Sequence, residues 1–132
     1  MTFLLDTHIW WWWVNGERGL SKAQERQLRK VAPASPALVS DISLWEVSTL
    51  ASLGRIRLRV PLREWLEQAS AEPLVRRCAI SPAVAAEVAG LPETFHRDPA
   101  DRILIATARV LDATLMTQDE RIIRSKLVRT LS

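Results

Sequence analysis

One cysteine, two histidines and three lysines among 132 residues remove several classes of protein at once. The lone Cys78 cannot close an internal disulfide, and it leaves the chain compatible with a reducing cytosol. With only His8 and His96 beside it, a Cys/His zinc site has no closed set of ligands. No apolar run approaches the roughly 18 residues that a bilayer span needs. Asp6 and His8 interrupt the first apolar stretch and no basic segment precedes it, so a secretory leader is not expected. Repeats and low-complexity linkers are missing as well, and the Pro/Ala/Ser stretch Ala32–Ala37 is too short to separate domains. A single cytoplasmic domain over residues 1–132, with no membrane association, is the expectation.

What is present is an ordinary globular composition, 48% hydrophobic and 25% charged, which is enough to build a core and wrong for disorder. The net charge is only +3, and the basic residues are almost all arginine. If four acids are held around cations, eighteen basic residues face eleven acids on the rest of the surface. Such a surface suits a phosphate backbone, although charge alone says no more than that the protein is mildly basic.

Short apolar segments alternate with helical ones, which predicts a mainly parallel sheet covered on both faces. Phe3 to Leu5, Ala37 to Val39, Arg76 to Ile80 and Thr114 to Thr117 read as strands, with Val128 to Leu131 as an edge strand. Helices are expected over Ile9–Val14, Lys22–Val31, Ser43–Gly54, Arg63–Ala71, from Ser81-Pro82 onward, over Ala100–Val110 and over Glu120–Lys126. Ser43 and Glu46 have capping-box spacing, which would put Glu46 in the first turn of its helix.

Four acids then fall at corresponding junctions. Asp6 follows the first strand, Glu46 lies near the start of the helix after the second, Asp101 opens the long helix, and Asp119 follows the strand after it. In an open parallel sheet these junctions gather on one edge, where ligands bind. Taken singly, Glu46, Asp98, Asp101 and Asp119 are explained as helix caps or first-turn anions; Asp6 has no obvious cap pattern after it. Four at matching junctions outweigh the separate explanations. Clustered carboxylates raise one another's pKa unless cations join them. Oxygen ligands without Cys or His suit Mg²⁺ or Mn²⁺, ions able to activate water for phosphodiester hydrolysis.

The residues at these junctions resemble a known family. Leu4-Leu5-Asp6-Thr7-His8-Ile9-Trp10 resembles the opening of PIN-domain proteins, especially the VapC-type toxins of bacterial toxin–antitoxin pairs. Ser43-Leu44-Trp45-Glu46-Val47, His96-Arg97-Asp98-Pro99-Ala100-Asp101-Arg102 and Thr117-Gln118-Asp119 resemble the later acidic motifs, in the family's order. The resemblance spans Leu4 to Asp119. It implies a three-layer α/β/α PIN-like domain and a Mg²⁺- or Mn²⁺-dependent endoribonuclease. Asp6, Glu46, Asp101 and Asp119 would be the catalytic, metal-binding carboxylates, with Asp98 ranked second as an outer-shell or substrate-side residue. The resemblance further implies a homodimer and a cognate antitoxin that blocks the site.

Trp10 to Trp13 wrap a whole helical turn, and part of that face is expected to meet a dimer mate or antitoxin; base stacking ranks lower, since nothing in the sequence ties the run to the acidic edge. Arg55, Arg57 and Arg59 alternate with Ile56, Leu58 and Val60, as in a solvated sheet edge. Arg97 and Arg102 flank the third motif and are the expected phosphate contacts. Thr7 and Thr117 flank the acids and could orient a water, but strand-end threonines are more simply structural; His8 reads as a satisfied structural histidine, and His96 stays open. A haloacid-dehalogenase-like phosphatase would need an Asp at the position of His8, and a receiver domain would need a strand-end lysine that is absent. A DNA-directed nuclease and an inactive binding module of the same fold remain the alternatives.

Overall fold

In a computed structural model describing residues 1–132, five parallel strands stand in the order β3-β2-β1-β4-β5. These are β1 (Phe3–Leu5), β2 (Ala37–Ser40), β3 (Val75–Cys78), β4 (Thr114–Met116) and β5 (Thr130–Leu131). The helices between them are α1 (Thr7–Asn15), α2 (Lys22–Leu28), α3 (Asp41–Ser52), α4 (Leu62–Ala69), α5 (Pro82–Ala89), α6 (Pro99–Val110) and α7 (Glu120–Ser125). None is long and apolar enough to cross a membrane.

The strands are short, and register decides what each face buries. Leu4 pairs with Leu38 and Leu115, while Leu5 pairs with Val39 and Met116. Leu4, Leu38 and Leu115 join a core with Leu104, Ile105 and Ala108 of α6 and Ile122 of α7. Leu5, Val39 and Met116 join the opposite core with Ile9 and Trp10 of α1, Leu28 of α2, and Trp65 and Ala69 of α4. Two separate apolar layers on a sheet buried from both sides make the expected α/β/α sandwich.

Polar atoms fix the core that holds Trp10 and Trp65. Trp10 is fully buried, and its Nε1 donates to the Ala69 carbonyl at 2.9 Å. Trp65 meets it edge-on at 4.9 Å and donates to Asn15 Oδ1 at 2.9 Å, so both indoles are satisfied. α1 stops at Gly16, whose φ of 67° is the left-handed value that a helix end favours in glycine.

Several boundaries differ from the sequence reading. α1 starts at Thr7 rather than Ile9, and Asp6 is its N-cap, accepting from Thr7 N. α3 starts at Asp41, capped by Ser40 through Ile42 N. Ser43 and Glu46 therefore form no capping box, and Glu46 lies in the second turn, because Ser40 already supplies the cap. Arg55 to Val60 form bends and irregular backbone, not a strand, although Ile56 is buried and the three arginines are exposed as the alternation expected. The final strand shrinks to Thr130–Leu131.

Candidate active site

β1, β2 and β4 all run the same way, so their C-terminal ends and the helices that follow meet at one edge of the sheet. There a cleft of about 460 Å³ is lined by Asp6, Glu46, Asp98, Asp101 and Asp119. The five acids of the sequence reading thus share one cavity. Asp6 N also donates to the Met116 carbonyl at 3.0 Å, which ties the acid at the end of β1 to β4.

The two threonines are wired into the site. Thr117 Oγ1 donates to Asp6 Oδ2 at 2.6 Å and accepts from Asp119 N at 3.0 Å. Thr7 N donates to Asp6 Oδ1 at 2.7 Å, and Thr7 Oγ1 donates to Glu46 Oε1. Ser43, fully buried, has its Oγ 2.9 Å from Thr7 Oγ1. With the Thr7 hydrogen directed to Glu46, Ser43 is the donor of that pair. A hydroxyl relay from Ser43 through Thr7 thus aims Glu46. The Ser43-to-Glu46 spacing that resembled a capping box is in fact this relay.

Asp101 is 8% exposed, and its Oδ2 lies 2.6 Å from His96 Nε2. Arg121 Nη2 stands 3.8 Å from Asp101 Oδ2 and 3.6 Å from Asp119 Oδ2, a cation over both acids without a hydrogen bond to either. Asp119 Oδ1 accepts from Arg121 N, and Asp98 Oδ1 accepts from Ala100 N, so each caps its helix.

Burial raises the Asp6 carboxyl; its bonds from Thr117 and Thr7 and the charge of His8 oppose this, and Asp119 adds to it. Glu46 is pushed up to about 7, mainly by burial and further by Asp6, Asp101 and Asp98, against the bond from Thr7. Asp101 is also raised by burial, opposed by His96 and reinforced by Asp98, Asp6 and Asp119. Three carboxyls held against ionisation, partly by one another's charge, form a site whose charged form calls for cations. The donors are all oxygens, a set that fits Mg²⁺ or Mn²⁺. As they stand, no three His, Cys, Asp or Glu side chains converge at coordinating distance; Asp6, Glu46 and Asp101 are each turned to a hydrogen-bond partner.

Other expected site residues fall elsewhere. Arg97 is exposed and near the loop's end, with no hydrogen bond from its side chain. Arg102 points its guanidinium at the carbonyls of Leu91, Pro92, Phe95 and His96, at 3.2 to 3.5 Å. It braces the loop before α6 with these donors, and its side chain is not among those lining the acidic cleft. His8 is exposed rather than a satisfied structural group, and its ring lies 5.7 Å from that of Trp12. Both line the cleft, so Trp12, unlike the buried Trp10, does belong to the acidic edge. Arg121 is the cleft residue that the sequence reading missed, and its position two residues after Asp119 is the one hint to it; His96, left open there, turns to Asp101.

A parallel α/β/α sandwich with an acidic cleft at the strand ends defines a PIN domain, and the chain belongs to that family, whose pattern it matches over residues 3–126. It is 38% identical over 121 residues to Ribonuclease VapC22 of Mycobacterium tuberculosis (strain ATCC 25618 / H37Rv), covering 92% of this chain and 89% of that one. Among solved structures it is similar to VapBC-1 from nontypeable Haemophilus influenzae, with a TM-score of 0.74 and 16% identity over 100% of this chain and 98% of that one. It is similar also to FitAcB from Neisseria gonorrhoeae, with a TM-score of 0.72 and 22% identity over 99% and 97% of the two chains.

Proposed function

We propose that this protein is a VapC-type endoribonuclease, the toxin of a toxin–antitoxin pair, and that it hydrolyses RNA phosphodiester bonds with Mg²⁺ or Mn²⁺. The observation that carries the reading is the single cleft shared by Asp6, Glu46, Asp98, Asp101 and Asp119. The 38% identity to a ribonuclease over nine-tenths of the chain supports RNA as the substrate. A cognate antitoxin, a homodimer and a cytoplasmic setting are part of the same proposal, and the likeness of the fold to VapBC-1 and to a toxin–antitoxin complex from Klebsiella pneumoniae is what favours the antitoxin.

In this reading Asp6, Glu46, Asp101 and Asp119 hold the cations, and Asp98 stands at the substrate side of the cleft. Bound divalent ions supply an activated water and stabilise the departing oxygen of the phosphodiester. The chain's own contribution is orientation. Thr117 and Thr7 N fix the two oxygens of Asp6, and the Ser43–Thr7 relay fixes Oε1 of Glu46. His96 fixes one oxygen of Asp101, and Arg121 supplies positive charge where a phosphate would enter. Outer partners of this kind hold ligands in the geometry that binding needs.

Purified, partner-free protein incubated with matched RNA and DNA pools in Mg²⁺, Mn²⁺ or EDTA tests the proposal. Metal-dependent cutting of RNA that is lost in a folded Asp6→Asn, Asp101→Asn variant is expected. Preferential cutting of DNA would overturn the substrate, and no metal-dependent cutting of either pool would overturn catalysis.

A further inference from the structure

The acidic cleft has a neighbour of opposite character. Beyond His96 and Arg121 lies a second cavity of about 440 Å³, lined by Thr94, His96, Arg121, Arg124, Ser125 and apolar residues, with no carboxylate in its wall. Arg121 lines both cavities, and His96 turns its Nε2 to Asp101 in the first while walling the second. A cation-favouring cleft and an anion-favouring cavity thus share one partition.

Resting on the ribonuclease reading, we propose that the second cavity is a backbone subsite: it holds the phosphodiester next to the one that is cut. Arg121 and Arg124 are three residues apart on α7, so their side chains share a face. Both side chains are mainly exposed, at 60% and 74%. Neither is locked to an acid. Arg121 stands beyond hydrogen-bond distance of Asp101 and Asp119; Arg124 lies 3.8 Å from the exposed Glu120 carboxylate, a pairing of little energy in water, and gives only its Nε to the Glu120 carbonyl at 3.4 Å, which leaves both Nη groups of its fork unengaged. Their guanidinium forks match the oxygens of a phosphate. The volume is that of an ordinary small-ligand pocket, enough for a nucleotide, and Thr94 and Ser125 add hydroxyls at the wall. A strand entering this way has one phosphate among the carboxylates and the next among arginines, which sets its register on the enzyme.

Arg124 is the residue to test, because it touches none of the acids of the cleft, whereas Arg121 stands over two. The experiment uses the full chain and a single-stranded RNA oligonucleotide, with Arg124→Gln, Arg124→Lys and, as a charge control on α4, Arg63→Gln. Arg124→Gln is expected to raise KM about tenfold, the size of one lost charge-assisted contact, with kcat within about twofold. It also lowers the slope of log affinity against log salt by about 0.7, the loss of one phosphate contact to a single strand. Arg124→Lys keeps that slope, and Arg63→Gln changes neither quantity. A neutral methylphosphonate beside the scissile position weakens binding to the wild type but not further to Arg124→Gln.

Unchanged KM and salt slope in Arg124→Gln, while the wild type cuts RNA, would overturn the subsite, including the case in which that variant weakens a protein complex instead. Wild type that binds the oligonucleotide with an Arg124-dependent slope but does not cut it keeps the subsite and sinks the nuclease reading. Protein that neither binds nor cuts sinks both.

Discussion

Thr117 Oγ1 meets Asp6 Oδ2 at 2.6 Å across 111 positions of sequence, and the same hydroxyl oxygen accepts from the Asp119 amide. One side chain thereby joins the acid at the end of β1 to the acid after β4.

Thr117→Val keeps the shape of this fully buried side chain and removes its hydroxyl. Loss of about 10- to 100-fold in Mg²⁺ affinity or in activity is expected, the usual cost of removing an outer partner of a metal ligand. Thr117→Ser restores most of it. A calorimetric Mg²⁺ titration checks the prediction, and Thr117→Val with wild-type affinity would remove Thr117 from the site.

Glu46 gives the metal-free protein a pH-dependent stability. Its carboxyl is raised to about 7 in the fold from an ordinary 4.5. A proton held more tightly by the folded state stabilises it fully below the ordinary value, and that stabilisation is lost as pH rises through about 7. Thermal unfolding in EDTA should therefore show Tm falling between pH 5 and pH 8. Glu46→Gln cannot ionise and flattens the fall, so its advantage over wild type appears at pH 8 and fades at pH 5. A wild-type Tm that rises over this window would contradict the buried acid.

On the proposed metal-binding role of Asp6, Glu46 and Asp101, the same raised carboxyls would make cations compete with protons. Mg²⁺ needs ionised ligands, so affinity should climb from pH 6 to pH 8 and binding should release protons. Calorimetry in two buffers of different ionisation enthalpy measures the release. Equal heats in both buffers would mean that these groups are already ionised in the metal-free fold.

Gly19 is held by its lack of a side chain. A Cβ there would stand 2.1 Å from Cδ2 of Trp12. Gly19→Ala should cost about 1–3 kcal/mol through overpacking, read by urea unfolding. The double change with Trp12→Leu should recover most of it, since the smaller side chain vacates the space. Additive losses would show that Trp12 is not the obstacle.

Arg102→Gln removes a clamp on four carbonyls of the 91–96 loop. A loss of about 1–2 kcal/mol is expected from the missing hydrogen bonds, with weaker metal binding as His96 loosens beside Asp101. Arg102→Lys should rescue poorly, because a single ammonium cannot span carbonyls that a guanidinium fork reaches. Full stability in Arg102→Lys would assign the clamp to charge rather than shape.

The sequence exposed the layer order and the acidic edge because both follow from periodicity and from which residue ends a strand. Leu4 and Leu5 reveal a two-sided strand, and Asp98-Pro99 reveals a helix start. Ser43 misled because its distance from Glu46 is the same in a capping box and in a relay through Thr7. Only the position of Thr7, 36 residues earlier, separates the two, and that is a tertiary fact. The bracing by Arg102 was hidden for a similar reason: it follows Asp101 in sequence, but its guanidinium turns back to the carbonyls of the preceding loop. Trp12 was beyond reach of the pattern, since a run of four tryptophans does not say which one faces the cleft.

Placing β1 at the centre of the sheet has a consequence for synthesis. During synthesis β1 must wait for its partner β4, whose residues Thr114–Met116 come more than a hundred positions later. A nascent chain that has reached Val110 already carries Asp6, Glu46, Asp98 and Asp101, yet one side of β1 is bare and neither Thr117 nor Asp119 exists. Pairings so distant in sequence form late in folding. The sheet order therefore acts as a timer, keeping the acidic cleft incomplete on any chain whose translation has not passed its fourth strand.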